Sequence, residues 1–179
     1  MKTTILASLL LPVIFALAIA QEERPKADQE REDVCRRAPC RPAKTLKLEV
    51  SKTEVAELDF PKGPYVADDY INVLPGEEIN VEFDYGADGP ITPRYVEIVT
   101  SPEKTVTFKL SLKEGEATLA VKNPLAKAIL YQCSFQRYKE QRLIPSRIFP
   151  VQSGQTTHEI WPYPITQVVV SIVSYAPSE

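Results

Sequence analysis

From Thr45 onward apolar residues recur at every second position, and a chain patterned in this way buries one face only as the strands of a sheet. Leu46, Leu48 and Val50 alternate with Lys47, Glu49 and Ser51, and Ile79, Val81 and Phe83 alternate with Asn80, Glu82 and Asp84. Val106, Phe108, Leu110 and Leu112 are separated by Thr107, Lys109 and Ser111, and the period returns in Ala117, Leu119, Val121 and in Ile129, Tyr131, Cys133, Phe135. The run from Val168 to Val173 is apolar on both faces at its start, as a central strand would be. Turn residues punctuate these segments at Leu74-Pro75-Gly76-Glu77, Gly86 to Pro90, Lys113 to Glu116, Asn123-Pro124 and Ser153-Gly154. With no ten-residue stretch of helical period, the pattern predicts an all-β domain over residues 45–179, an antiparallel β-sandwich of seven to nine strands.

Ahead of the alternating region lie two segments of different character. Met1 to Ala20 carries Lys2, an apolar run from Ile5 to Ala18 and a small-residue site Ala18-Ile19-Ala20, the three parts of a secretory signal peptide. The run falls short of the roughly 20 apolar residues a membrane span needs, so cleavage after Ala20 is expected. Removal of residues 1–20 leaves 159, enough for one domain with a full core. Residues 21–44 are more than half charged, hold three prolines and have almost no large apolar side chain, a composition that reads as a flexible charged arm. The cleaved chain would carry 20 basic against 24 acidic residues, a balance poorly suited to nucleic acid. No second apolar run approaches a membrane span and no Asn-x-Ser/Thr site occurs, so the mature chain is expected in a secreted or periplasmic location.

One unit carries a resemblance. Asp69 to Phe83, with Leu74-Pro75-Gly76-Glu77 between two alternating runs, resembles the strand, turn, strand unit of the immunoglobulin-like accessory domains found in secreted glycosidases and other envelope proteins. Pro75 fixes φ and Gly76 supplies a positive φ, so the turn joins two strands tightly at one end of a sandwich. The resemblance implies a fold and no activity, because the catalytic residues of such glycosidases lie outside these domains.

Three cysteines leave the pairing open. Cys35 and Cys40 flank a proline-containing turn and favour a local bridge, with Cys133 as a core thiol between Tyr131 and Phe135. The alternative, Cys40 to Cys133, would close a long loop worth about 4–5 kcal/mol. A zinc or copper site is not expected from three cysteines, the lone His158 and a mature chain without methionine. Asp84 to Gly89 has two acids of a calcium-loop pattern, but Gly86 occupies a ligand position and Tyr95 stands where the bidentate Glu belongs, so a hairpin loop is the better reading. No metal or cofactor is expected.

A single histidine with no Gly-x-Ser-x-Gly elbow, and a folded-region cysteine that sits mid-strand, argue against nucleophilic catalysis. The most distinctive segment is Thr157-His158-Glu159-Ile160-Trp161-Pro162-Tyr163-Pro164, where two prolines hold the only tryptophan and a tyrosine in an extended loop. Rings fixed in this way make contact platforms for sugars or proteins, and Trp161, Tyr163 and His158 are the candidate ligand-binding residues, with Trp161 equally suited to closing the core. The expected role is an exported, non-catalytic binding or accessory module whose partner is a protein or glycan of the envelope. A small secreted hydrolase or glycan-active enzyme is the first alternative. The second is a strand-pairing subunit or chaperone, which the charged strand faces at Lys47, Glu49, Glu82 and Lys109 disfavour.

Overall fold

A computed structural model of the protein describes residues 26, 28–84, 92–146 and 150–175. The proposed leader and most of the loop with the partial calcium pattern lie outside them. In chain order come a helix α1 (28–35) and the strands β1 (Cys40–Arg41), β2 (Lys44–Glu49), β3 (Val55–Phe60), β4 (Gly63–Pro64), β5 (Val66–Ala67), β6 (Tyr70–Val73) and β7 (Glu78–Asp84). The remainder are β8 (Thr92–Val96), β9 (Thr105–Lys113), β10 (Glu116–Lys122), β11 (Ile129–Arg137), β12 (Leu143–Ser146), β13 (Thr156–Trp161) and β14 (Ile165–Tyr175). Among the described residues two five-stranded antiparallel sheets form, ordered β13-β10-β9-β7-β8 and β12-β11-β14-β6-β5. Ten strands exceed the seven to nine expected because the outer ones hide their period. β5 has two residues, and β8 and β12 carry Pro93 and Pro145, which a sheet tolerates at its edges.

The inward residues of both sheets make one core. Val81, Phe108 and Leu119 from the first sheet and Ile71, Tyr131 and Val170 from the second are all buried, and the Phe108 and Tyr131 rings meet edge to face at 6.3 Å. The Leu74 to Glu77 turn carries the chain from β6 in one sheet to β7 in the other. Gly76 has φ +81° and Glu77 N–H donates to Leu74 C=O at 3.0 Å, the type II geometry that Pro75-Gly76 dictates. Among the described residues, no helix is long and apolar enough to cross a membrane.

β2 and β3 pair only with each other and lie across one end of the sandwich. Their inner face, Leu46, Leu48, Leu58 and Phe60, is shielded while Lys47, Glu57 and Asp59 face solvent. The hairpin is pinned where Gly115 N–H donates to Glu49 C=O at 2.8 Å. Gly115 has φ +88°, and a Cβ there would lie 2.6 Å from the Val50 carbonyl oxygen, so both conformation and contact require glycine. At this capped end meet the β9–β10 hairpin, the β6–β7 turn, the exit of β11 and the entry of β14.

The segment that composition reads as a flexible arm carries regular structure from residue 28 onward. Cys35 and Cys40 are bridged, with Cα atoms 5.5 Å apart, which joins α1 to β1. β1 pairs with β4, and Arg41 is only 3 % exposed. Its guanidinium lies 3.0 Å from the Glu77 carboxylate, donates to the Asn72 carbonyl at 2.5 Å and sits 4.8 Å from the centre of the Tyr65 ring, which stacks on Tyr95 at 4.1 Å. Lys44 reaches the same carboxylate at 2.6 Å, and its second oxygen accepts from Leu74 N–H at 3.0 Å. Burial pushes the Arg41 pKa down and Glu77 opposes that shift. The sequence expectation missed this because it weighed apolar area alone. A short cross-link and a buried, compensated cation order residues that hold little of it.

Candidate functional site

The loop between β13 and β14 lies at the capped end, but it does not gather the three predicted residues. Trp161 ends β13 with its ring in the core, 5 % exposed and 5.3 Å from the Phe135 ring. His158, three residues earlier, faces the opposite side of the strand and is exposed beside Ala120 of β10. Tyr163 is half-buried, with its ring centre 5.8 Å from that of Phe135. Trp161 therefore packs rather than presents itself, and Tyr163 and His158 do not share a site.

What surrounds Tyr163 comes from the other strand pair. β11 ends at Arg137, which pairs with Ile165 at the start of β14, and this register lays the Arg137 guanidinium over the Tyr163 ring at 4.0 Å. Arg137 also lies 3.6 Å from Glu140, and Arg142 reaches the same carboxylate at 3.7 Å. The Arg137 to Glu140 turn is closed by Glu140 N–H donating to Arg137 C=O at 3.1 Å, with Lys139 at φ +68°. That left-handed conformation is uncommon outside glycine, asparagine and aspartate. It carries the Lys139 ammonium to 4.9 Å from the Tyr138 ring centre.

Cross-links hold the two turns together. Tyr138 N–H donates to Pro164 C=O at 3.0 Å, Thr166 hydroxyl to Gln136 C=O at 3.3 Å, and Gln136 Nε2 to Glu140 C=O at 2.7 Å. Between this edge and the capping hairpin, whose Leu58, Asp59 and Phe60 form the facing wall, runs an open groove of about 360 Å³. It offers the Phe60 and Tyr138 rings, cationic and amide donors and the two carboxylates Asp59 and Glu140, a set suited to hydroxyl, carbonyl or amine groups of a partner. Sequence reasoning passed over Arg137 to Glu140 because charged residues after a strand look like any solvated turn. The visible signal was Arg137-Tyr138-Lys139, an aromatic between two cations.

A further set of buried polar groups lies under the edge strand β13. Cys133 is a free, buried thiol, and burial pushes its pKa up to about 12. Burial likewise raises Tyr131, whose buried hydroxyl faces Thr157, and raises Glu159, which points inward on the same face as Thr157. A protonated thiol under a sheet is poorly placed to act as a nucleophile. Among the described residues no group of three or more His, Cys, Asp or Glu side chains is arranged to hold a metal ion. No family model, curated protein or solved structure matches the chain.

Proposed function

We propose that the protein is an exported, non-catalytic binding or accessory module of the cell envelope, an immunoglobulin-like sandwich that contacts its partner through the groove at its capped end. The observation that carries this reading is the locked pair of turns. Tyr138 N–H bonded to Pro164 C=O fixes Tyr163, Arg137 and Tyr138 in one arrangement before any partner arrives. Ordering that is already complete lowers the free-energy cost of association. The leader Met1 to Ala20 supports export, and the partner that suits such donors and rings is a glycan or another envelope protein.

The test is chemical cross-linking on intact cells followed by mass mapping, alongside binding to isolated cell-wall polysaccharide. Contacts are expected to gather at residues 136–140, 163 and 58–60, and Tyr138→Ala with Lys139→Glu to abolish them while the melting curve stays within a few degrees. Contacts that gather at the opposite end, around Asn123 to Lys127, or along β13 would overturn the choice of site. A protein that remains in the cytoplasm would overturn the envelope role.

A further inference from the structure

On the other flank of Phe60 a second recess of about 200 Å³ opens between the β3–β4 connection and the second sheet. Three cations line it: Arg31 from α1, Arg41 from β1 and Lys62. No Asp or Glu lines it among the described residues, although the protein as a whole is acidic. Arg31 holds Asp28 at 3.0 Å along the helix, and Arg41 holds Glu77 at 3.0 Å on the far side. Two features are unexplained by internal contacts. Arg41 is buried, yet its Nε has no hydrogen-bonded acceptor among the described residues, because the nearby Glu77 oxygen lies outside hydrogen-bond geometry. Asn72, which also lines the recess, has a buried side-chain oxygen that receives no donor. Groups of this kind are normally satisfied in folded proteins, by water or by a ligand.

These demands specify a molecule. Lys62, for which no carboxylate partner stands among the described residues, asks for a carboxylate, with Arg31 and Arg41 adding positive charge beside their own partners; Asn72 Oδ1 asks for a hydroxyl donor, and Phe60, Pro61 and Pro64 offer an apolar border for the face of a small ring. We infer that this recess binds a carboxylated sugar, one uronic acid unit, either free or as a residue of an acidic polysaccharide. The volume is on the order of six or seven waters of liquid, which suits one sugar ring and excludes a larger ligand from lying wholly inside. The Cys35–Cys40 bridge is part of the site, since it brings α1, with Arg31, to the strand that carries Arg41.

The test is an amide-resolved NMR titration of the full mature chain with sodium galacturonate and an oligogalacturonate, against glucose and inorganic phosphate. Saturable shifts are expected at Gly63, Asn72 and Gln167 with galacturonate and not with glucose. Tighter binding of the oligomer would assign the source as polysaccharide, and equal binding as the free acid. Lys62→Glu, at an exposed position, should weaken galacturonate binding about tenfold or more, a charge-assisted contact being worth at least that. Arg31→Gln should weaken it less, since Arg31 shares its charge with Asp28. No saturable shift with galacturonate, an equal response to glucose, an equal response to phosphate, or undiminished binding by Lys62→Glu would each overturn the inference. Tyr138→Ala is expected to leave this titration unchanged, so failure here and failure of the groove are separable.

Discussion

Two arginine–tyrosine junctions stand on either side of Phe60, and they do opposite things with the same residue types. Arg41 over Tyr65 is sealed, with its carboxylate partner Glu77 only 11 % exposed and tied also to Lys44 and to Leu74 N–H. Arg137 over Tyr163 is open, its side chain 40 % exposed and its partner Glu140 35 % exposed at a longer 3.6 Å. The difference lies in where the carboxylate comes from. Glu77 belongs to the turn that joins the two sheets, so its pairing fastens the N-terminal segment to the sandwich. Glu140 belongs to a surface turn, so its pairing only steadies a side chain that stays available. The same motif is thus a buried fastener in one place and a partly exposed surface pair in the other.

The strongest way to break this contrast is Glu77→Ala against Glu140→Ala. The first leaves a buried guanidinium without its counter-charge and is expected to cost about 3–5 kcal/mol in chemical denaturation, the second at most about 1 kcal/mol. Equal losses would show that burial of the pair is not what separates the junctions. Beneath the open junction, Trp161→Ala is expected to cost about 3–5 kcal/mol, and the half-buried Tyr163→Ala about 1–2 kcal/mol. If Trp161→Ala is tolerated and Tyr163→Ala is not, the ring that closes the core has been misassigned. Replacing both Cys35 and Cys40 by Ala should cost about 2 kcal/mol, given the short loop they close. Limited proteolysis should then cut near α1 first and spare the residues around Arg41, and cleavage at both places together would mean the sealed junction depends on the bridge.

A smaller effect sharpens the picture of the core between the junctions. The folded state holds the Cys133 thiol protonated up to about 12, above its unfolded value. Its contribution is therefore complete below the unfolded pKa and is lost as pH rises from there through the folded one, a loss of about 1.5–2 kcal/mol by pH 10. Tyr131 shifts in the same direction. Unfolding midpoints measured from pH 8 to 11 should fall, Cys133→Ala should flatten part of that fall, and a thiol reagent should react only on unfolding. The least effect is expected from Lys139→Gly, which relieves a left-handed backbone and should raise stability by about 0.5–1 kcal/mol. A loss instead would mean that the ammonium over Tyr138 outweighs the strain.

The strands were legible because each reports its environment locally: Val106, Phe108 and Leu110 alternate inward as their spacing demands. The local bridge between Cys35 and Cys40 and the buried state of Cys133 were legible for the same reason. What escaped depends on partners distant in sequence. Nothing near Arg41 announces that Glu77 will neutralise it in the interior, and nothing near Arg137 announces that Tyr163 will lie beneath it. Glu159 escaped through a different ambiguity: on an edge strand a carboxylate can sit on the inward face, and its alternation with Trp161 was masked by the prolines that follow. Tyr163 and His158 stand apart because proline signals say where a chain is rigid, not which way each residue of the preceding strand faces.

The strand order has a consequence for how the molecule can be made. β14, the last of the described strands to be synthesised, lies in the middle of its sheet, between β11 and β6. A nascent chain leaving the ribosome can zip up the first sheet as far as β13, yet β6 and β11 have no neighbour between them until the final strand emerges. The second sheet, and with it the closed core, therefore cannot be completed until β14 has been made. A stop codon ahead of Ile165 would not yield a smaller version of the protein. It would release two open strand edges on one fragment, a product destined for aggregation or proteolysis.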